Sequence, residues 1–224
     1  MRLGRRADFH THSLLSDGAI ISSEIAARAQ SLGYEAVAVT DHADASNIDH
    51  VVSRIVSTFD GIQDDFSVAL IPGIELTHVP PKKIEPLVRE ARRLGALLII
   101  VHGETIVEPV IKGTNETAVS CSLVDVLAHP GLLTEREAEL ARENDVYIEL
   151  TTRKGHCLTN GLVAKVGLEG GVDFLVNTDM HEPSELITQE EALKAALGSA
   201  LPYERALEAV RDSPRRLLKR LGIR

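Results

Sequence analysis

The chain has 224 residues, of which 44% are hydrophobic, and this is enough for one sizeable core in a single domain spanning residues 1–224. Its 24 basic and 33 acidic residues give a formal net charge of −9, so the overall charge does not favour nonspecific binding to nucleic acid. Only two cysteines occur, and the sequence contains neither a signal-peptide pattern nor an apolar run of about 18 residues. We therefore expect a cytoplasmic protein without a membrane span.

Short apolar runs rich in β-branched residues recur along the chain and predict seven strands. The first run ends in His10 and His12. The others span residues 35–42, 68–75, 96–103, 124–130, 146–151 and 172–181. These runs lack a regular alternation of polar and apolar residues, which is typical of strands covered on both faces, as in a parallel sheet wrapped by helices.

Helical patterns lie between these strands. Ser22 or Ser23 is expected to cap a helix that Gly33 closes, and Thr134 with Glu137 forms a capping-box signature. The repeated order of strand and helix favours a parallel sheet, either a barrel or a doubly wound sheet. Each unit has about 25 to 30 residues, which is the size of the barrel module.

Side chains that can bind metal follow most of the predicted strands. In a parallel barrel the carboxyl ends of all strands lie on one face, so residues far apart in the sequence meet at one site. Because residues i and i+2 of a strand point the same way, His10 and His12 can bind one ion together. The predicted metal ligands are His10, His12, Asp17, His42, Glu75, His102, His129, Asp179 and His181.

A single histidine at a strand end is usually a polar residue that hydrogen-bonds inside the protein. This is the alternative to metal binding for each of the six histidines in the list. Six of the nine histidines stand at or just after a predicted strand end, however, whereas random placement would scatter them over helix faces. Imidazole with carboxylate suits Zn, Mn or Fe. Nine ligands are too many for one ion, so two or three divalent ions are expected, and a carboxylate such as Glu75 is free to bridge them.

The motifs around these residues resemble those of the PHP family, named for polymerase and histidinol phosphatase. The motifs are HTHSLLSDG at residues 10–18, TDH at 40–42, GIE at 73–75, AHP at 128–130 and TDMH at 178–181. They occur in the family's order over residues 7–181. The resemblance implies a distorted (β/α)7 TIM-like barrel with metal-dependent phosphoesterase activity at a site for three ions.

The resemblance also divides the ligands among the ions. The implied groups are His10, His12, Glu75 and Asp179 for the first ion, Glu75, His102 and His129 for the second, and Asp17, His42 and His181 for the third. Glu75, Asp179 and His181 are expected to be the catalytic residues among them. No ligand position of the family is lost, which argues against the metal-free relatives that serve as RNA-binding or structural subunits.

The expected reaction is hydrolysis of a small-molecule phosphate monoester by a metal-activated water, as in the histidinol phosphatases. The sequence contains no GxSxG elbow and no GxxxxGK phosphate loop, which argues against two competing enzyme classes. Arg153, Lys154 and His156 follow the sixth predicted strand and are expected to bind the substrate, since Arg can hold phosphate through two hydrogen bonds. His78 is a fourth candidate, and a solvated loop is the alternative for all four.

Two other functions stay open at this stage. A PHP enzyme that acts on nucleotides, or as an exonuclease on nucleic acid ends, would share the same chemistry. The 3% aromatic content without Trp offers few surfaces on which single strands can stack, so nucleic acid is expected only as a substrate end. The other alternative is a noncatalytic barrel that binds metal or docks a partner.

Overall fold

The computed structural model describes residues 3–223, and its strands form one parallel sheet. The strands are β1 (Ala7–Asp8), β2 (Ala36–Val39), β3 (His42–Ala43), β4 (Ala69–Leu76), β5 (Leu98–His102), β6 (Val126–Ala128), β7 (Tyr147–Thr151) and β8 (Phe174–Asn177). Their order is β1-β2-β4-β5-β6-β7-β8, and β3 pairs with β4 beside β2. Thr11 bridges to Met180 and joins the first strand to the last. The predicted distorted (β/α)7 barrel is therefore confirmed.

The second predicted strand, residues 35–42, is broken into β2 and β3. Both pieces pair with β4, with Ala36 opposite Ala69 and His42 opposite Glu75. Between them the N–H of Thr40 donates to the carbonyl of Thr11 at 2.8 Å, so the backbone turns toward the first strand for one residue. The pairing register is the same on both sides of the break, and it puts His42 opposite Glu75, where its Nδ1 contacts the Glu75 carboxylate.

Helices follow the strands and cover the outside of the barrel. They are α1 (Ser22–Ser31), α2 (Ile48–Ile62), α3 (Pro81–Arg93), α4 (Thr114–Val119), α5 (Glu135–Glu143), α6 (Asn160–Gly170), α7 (Gln189–Gly198), α8 (Tyr203–Leu207) and α9 (Ser213–Arg220). A π-helical segment, Glu208–Asp212, joins α8 to α9. Among residues 3–223, no helix combines the length and the apolar character needed to cross a membrane.

The sequence signals at the helix ends had mixed outcomes. The capping box before α5 is confirmed, since the N–H of Thr134 donates to the Glu137 carboxylate at 2.8 Å and the N–H of Glu137 to the Thr134 hydroxyl at 3.3 Å. The expected Ser22 or Ser23 cap of α1 is wrong. The helix starts one residue earlier than that cap requires, because the carbonyl of Ile21 accepts the first helical hydrogen bonds.

The core has two layers, one between the sheet and the helices and one inside the barrel. The inner layer includes Phe9 just after β1, Ile71 in β4 and Leu98 in β5, and Leu217 and Leu218 of α9 pack against it. Helix α9 therefore covers the end of the barrel at which the strands begin. Polar side chains line the other end of the barrel, where the strands end.

Candidate metal centre

The structure brings the nine predicted ligands together at the carboxyl ends of the strands, and we call these nine residues the candidate metal centre. Seven of them are buried, whereas His42 is partly exposed and Asp17 is exposed. Glu75 lies inside β4, and the others stand at or after the ends of β1, β5, β6 and β8 or at the start of β3. Residues separated by more than a hundred positions thus share one face, as the parallel topology requires.

His10 and His12 direct their Nε2 atoms toward the same two carboxylates. The Nε2 of His10 lies 3.4 Å from Glu75 Oε1 and 3.6 Å from Asp179 Oδ1. The Nε2 of His12 lies 3.2 Å from Asp179 Oδ1 and 3.8 Å from Glu75 Oε2. Four side chains therefore direct donor atoms toward one another, and the i, i+2 spacing of the two histidines is what allows this.

Glu75 also faces a second group. Its Oε1 lies 3.2 Å from His102 Nδ1 and 3.5 Å from His129 Nε2. The same oxygen approaches His10, so one carboxylate stands between two sets of imidazoles. This arrangement can bridge two cations.

A third group lies at the exposed rim. Asp17 Oδ1 is 3.4 Å from His42 Nε2 and 3.1 Å from His181 Nε2. His12 lies close enough to belong to the same set of potential ligands. Because the Asp17 side chain is 57% exposed, this group is the most open to solvent of the three.

The donor atoms of the candidate metal centre fit divalent cations. Within residues 3–223, His10 Nε2 and both ring nitrogens of His12 are buried without a hydrogen-bond partner. A buried polar atom without a partner is costly, and binding of a cation removes that cost. Imidazole together with carboxylate is the ligand set that Zn, Mn and Fe prefer.

The pKa values of the candidate metal centre without metal also indicate that its carboxylates are stabilised by nearby positive charge. Burial raises the pKa of Glu75, but His10, His42 and His102 outweigh burial and hold it well below its usual range. Burial lowers the pKa of His102, but Glu75 and Glu108 outweigh burial and raise it to about 9. The carboxylates thus retain protons on nearby imidazoles when no cation neutralises them.

Sequence analysis missed Glu149, a fully buried residue of β7 below the candidate metal centre. One of its oxygens lies 2.8 Å from His10 Nδ1, and the other accepts the backbone N–H of His129 at 3.1 Å. A signal was present, because Glu149 is a charged residue inside the apolar run VYIELT at residues 146–151. A buried acid in such a run requires a partner.

Glu108, in the loop after β5, was also missed. Its carboxylate lies 3.1 Å from His102 Nε2, 3.4 Å from His156 Nε2 and 3.6 Å from His78 Nε2. The hydrogen bond with His102 holds the pKa of Glu108 at about 2, although burial opposes this shift. Burial and the neighbouring His129 lower the pKa of His156 to about 4. No pattern in the sequence distinguishes Glu108 from an ordinary loop acid.

Three of the four predicted substrate-binding residues, Arg153, His156 and His78, line a cavity of about 570 Å³ next to the candidate metal centre. The Arg153 guanidinium lies 3.2 Å from Glu185 and 3.8 Å from Asp179. The structure does not bring Lys154 to this cavity, because its side chain is exposed to solvent while Arg153 beside it points inward.

Comparison with known proteins agrees with this architecture. Residues 8–200 match the PHP domain family, and this is most of the chain. The chain belongs to the PHP family. A PHP domain thus contains every residue of the candidate metal centre.

Three relatives differ in what their names state. An uncharacterised protein of Methanocaldococcus jannaschii is 43% identical over 219 residues, which cover 96% of this chain and 100% of that protein. Ribonuclease P protein component 3 of Methanosarcina barkeri is 27% identical over 228 residues, covering 95% and 88%. The DNA polymerase/3'-5' exonuclease PolX of Bacillus subtilis is 26% identical over 209 residues, covering 85% of this chain but 37% of that protein.

Two solved structures have the same fold. A chain in the structure of archaeal ribonuclease P with mature tRNA aligns with a TM-score of 0.74 at 15% identity, covering 96% of this chain and 91% of that one. Histidinol phosphate phosphatase from Lactococcus lactis, complexed with zinc, L-histidinol and phosphate, aligns with a TM-score of 0.56 at 13% identity, covering 98% and 95%. At these identities the comparison establishes the shared barrel.

Proposed function

We propose that this protein is a metal-dependent phosphoesterase that hydrolyses a phosphate monoester of a small molecule. The observation that carries this proposal is the convergence of nine potential metal ligands, including Glu75 and Asp179, at the open end of the barrel. A subunit without catalytic function would have no need for so many buried donor atoms without partners, which cost stability.

The residues of the candidate metal centre would hold two or three divalent ions, Zn, Mn or Fe, in the groups described above. When bound, these ions would lower the pKa of a water molecule and neutralise charge on the phosphoryl oxygens. Glu75 would link the first two groups, because its Oε1 faces an imidazole of each. Asp179 and His181 would complete the site from the last strand.

The chain's own residues also favour a small substrate. Arg153 lines the cavity and can donate two hydrogen bonds to a phosphate. The cavity volume of about 570 Å³ matches that of sites for small ligands. Asp44 and Glu108 stand in the cavity wall, where their charge would repel the further phosphates of a polynucleotide.

A second candidate function is binding of RNA or a protein partner, which the similarity to ribonuclease P protein component 3 favours. The similarity to PolX favours a third, exonuclease action on nucleic acid ends. The complete ligand set argues for catalysis over the second candidate, and the net charge of −9 argues for a small substrate over the third.

The test is a substrate screen with the metal-loaded protein. We would measure kcat/KM for histidinol phosphate, sugar phosphates, mono- and bisphosphorylated nucleotides and short oligonucleotides, before and after treatment with a chelator. We expect metal-dependent turnover that is fastest on a small monoester. Fastest turnover of oligonucleotide ends would favour the exonuclease function. If the metal-loaded protein turned over none of these substrates, the proposal that it is an enzyme would be refuted.

A further inference from the structure

Glu149 contacts three strand ends of the barrel from a fully buried position. Its Oε1 lies 2.8 Å from His10 Nδ1 and accepts from the Asn177 amide at 2.9 Å. Its Oε2 accepts the N–H of His129 at 3.1 Å. Asn177 in turn accepts the N–H of Phe9 at 3.1 Å, so this carboxylate belongs to the network that joins β1 to β8.

The contact with His10 decides which of its nitrogens can bind a cation. His10 Nε2 faces Glu75 and Asp179, so this nitrogen is the one available as a ligand. A neutral imidazole binds a cation only through its unprotonated nitrogen, and the proton must then be on Nδ1. The Glu149 carboxylate can only accept hydrogen bonds, so it stabilises the tautomer that carries the proton on Nδ1.

The contact with His129 acts on the backbone. His129 has a φ of 24°, a conformation that residues other than glycine rarely adopt. The hydrogen bond from its N–H to Glu149 holds the backbone in this conformation, from which the ring reaches Glu75. Glu149 therefore contacts one ligand of the first group and one of the second.

Glu149 is not placed to be a ligand itself. Its two oxygens already accept from a ring nitrogen, an amide and a backbone N–H at 2.8 to 3.1 Å. It also lies on the side of the His10 ring opposite the Nε2 that faces Glu75 and Asp179. A cation at Glu149 would have to displace these hydrogen bonds.

We infer that Glu149 is a positioning residue that keeps His10 in its metal-binding tautomer and orients His129, and so sets the affinity of the candidate metal centre for divalent cations. This inference rests on the proposed function, because it assumes that the centre binds metal. Partners of metal-binding histidines generally have such a role, and their loss typically lowers metal affinity by about 10- to 100-fold.

The test compares Glu149→Gln with Asp125→Asn in the full chain. Gln has one acceptor oxygen instead of two, so its NH₂ must face either His10 Nδ1 or the N–H of His129. Asp125 is a buried carboxylate at the opposite end of the barrel, so Asp125→Asn makes the same chemical change away from the site. The measurements are zinc titration of chelator-treated protein by calorimetry and ¹⁵N NMR of the histidine rings.

We expect zinc affinity about 10- to 100-fold lower in Glu149→Gln and unchanged in Asp125→Asn. In the metal-free wild type, at a pH high enough for the His10 ring to be neutral, the ring proton should be on Nδ1. In Glu149→Gln, either this preference or the hydrogen bond from the N–H of His129 should be lost. Glu149→Asp retains the carboxylate and should retain the Nδ1–H tautomer, which a purely packing role would not predict. This variant also serves as the test if Glu149→Gln does not fold.

The outcomes separate the two proposals. A wild-type protein that binds neither zinc nor manganese nor iron would refute the proposed function. Zinc binding by the wild type, with equal affinity and an unchanged His10 tautomer in Glu149→Gln, would overturn only the role of Glu149. Equal loss of affinity in folded Glu149→Asp and Glu149→Gln would also overturn it, because the acceptor would then not be the cause.

Discussion

Buried carboxylates lie at both ends of the barrel, but their partners differ. Just before β6, at the closed end, Asp125 accepts hydrogen bonds from Arg92 at 2.6 Å and Arg220 at 3.1 Å. At the open end, imidazoles surround Glu75, and within residues 3–223 the charged partners of Asp179 are imidazoles and the more distant guanidinium of Arg153. At the closed end, the guanidinium groups of Arg92 and Arg220 thus neutralise the charge of the buried carboxylate.

This difference separates the scaffold from the site. A guanidinium stays charged at every accessible pH, so the Asp125 cluster is a permanent part of the fold. The charge of an imidazole varies between about pH 5 and 8, so the open end has no fixed positive charge next to Glu75. The negative charge that remains there is available to bind a cation.

The largest expected effect comes from removing charge at the open end. Glu75→Gln should abolish metal-dependent turnover of a phosphomonoester, because the bridging carboxylate is lost, while the fold stays intact. The matched change at the closed end, Asp125→Asn, should lower the free energy of unfolding by about 1–3 kcal/mol and leave turnover per folded molecule unchanged. Steady-state kinetics and urea unfolding of both variants measure these effects. Wild-type turnover in Glu75→Gln would contradict the bridging role.

A smaller effect concerns the pH dependence of the metal-free protein. The pKa of His102 is raised to about 9 in the folded state, against about 6.5 in an unfolded chain. Protonation therefore stabilises the folded state fully below about pH 6.5, and this contribution is lost as the pH rises through about 9. The raised pKa values of His10 and His42, where nearby carboxylates outweigh burial, act in the same direction.

Urea unfolding of chelator-treated protein at several pH values checks this prediction. The free energy of unfolding should fall between about pH 6.5 and 9, and saturating zinc should reduce that fall, since bound ions replace the protons. Asp125→Asn should show the same pH dependence as the wild type. A flat profile without metal would mean that the open end does not depend on positive charge.

The smallest expected effect concerns Arg153. Its guanidinium lies at the open end, where the other charged partners of the buried carboxylates are imidazoles. Arg153→Ala should raise KM by about tenfold with little change in kcat, which matches the loss of one charged hydrogen bond to phosphate. The exposed Arg89, which pairs with Glu85 on α3, provides a control in Arg89→Ala. An unchanged KM in Arg153→Ala would mean that Arg153 does not bind the substrate and that its role is the ion pair with Glu185.

The parallel sheet and the location of the candidate metal centre could be predicted from periodic features of the sequence, whereas the closed barrel was implied by the resemblance to the PHP family. Strands followed by helices give a parallel sheet, and a parallel sheet brings residues such as Glu75 and His129 to one face. The break between β2 and β3 was not predicted, although the apolar run ends at Val39 and the polar residues Thr40 and Asp41 follow it. It depends on the hydrogen bond from Thr40 to Thr11, a contact between distant segments.

The contacts around the ligands were harder to foresee. Glu149 could have been noticed as an acid in a buried strand, but its partner His10 lies 139 positions away. Glu108 depends on the path of the loop after β5, where the Glu104 carboxylate accepts the N–H groups of Gly113 and Asn115. Such hydrogen bonds join residues that are not related by any periodic pattern in the sequence.

The pairing between the first and last strands determines when the candidate metal centre can be complete during synthesis. Glu75, His102 and His129 come from the middle of the chain, so this group can form early on the ribosome. The groups that need Asp179 or His181 must wait until β8 leaves the exit tunnel and Met180 docks on Thr11. The candidate metal centre can thus be complete only after the last strand has been synthesised.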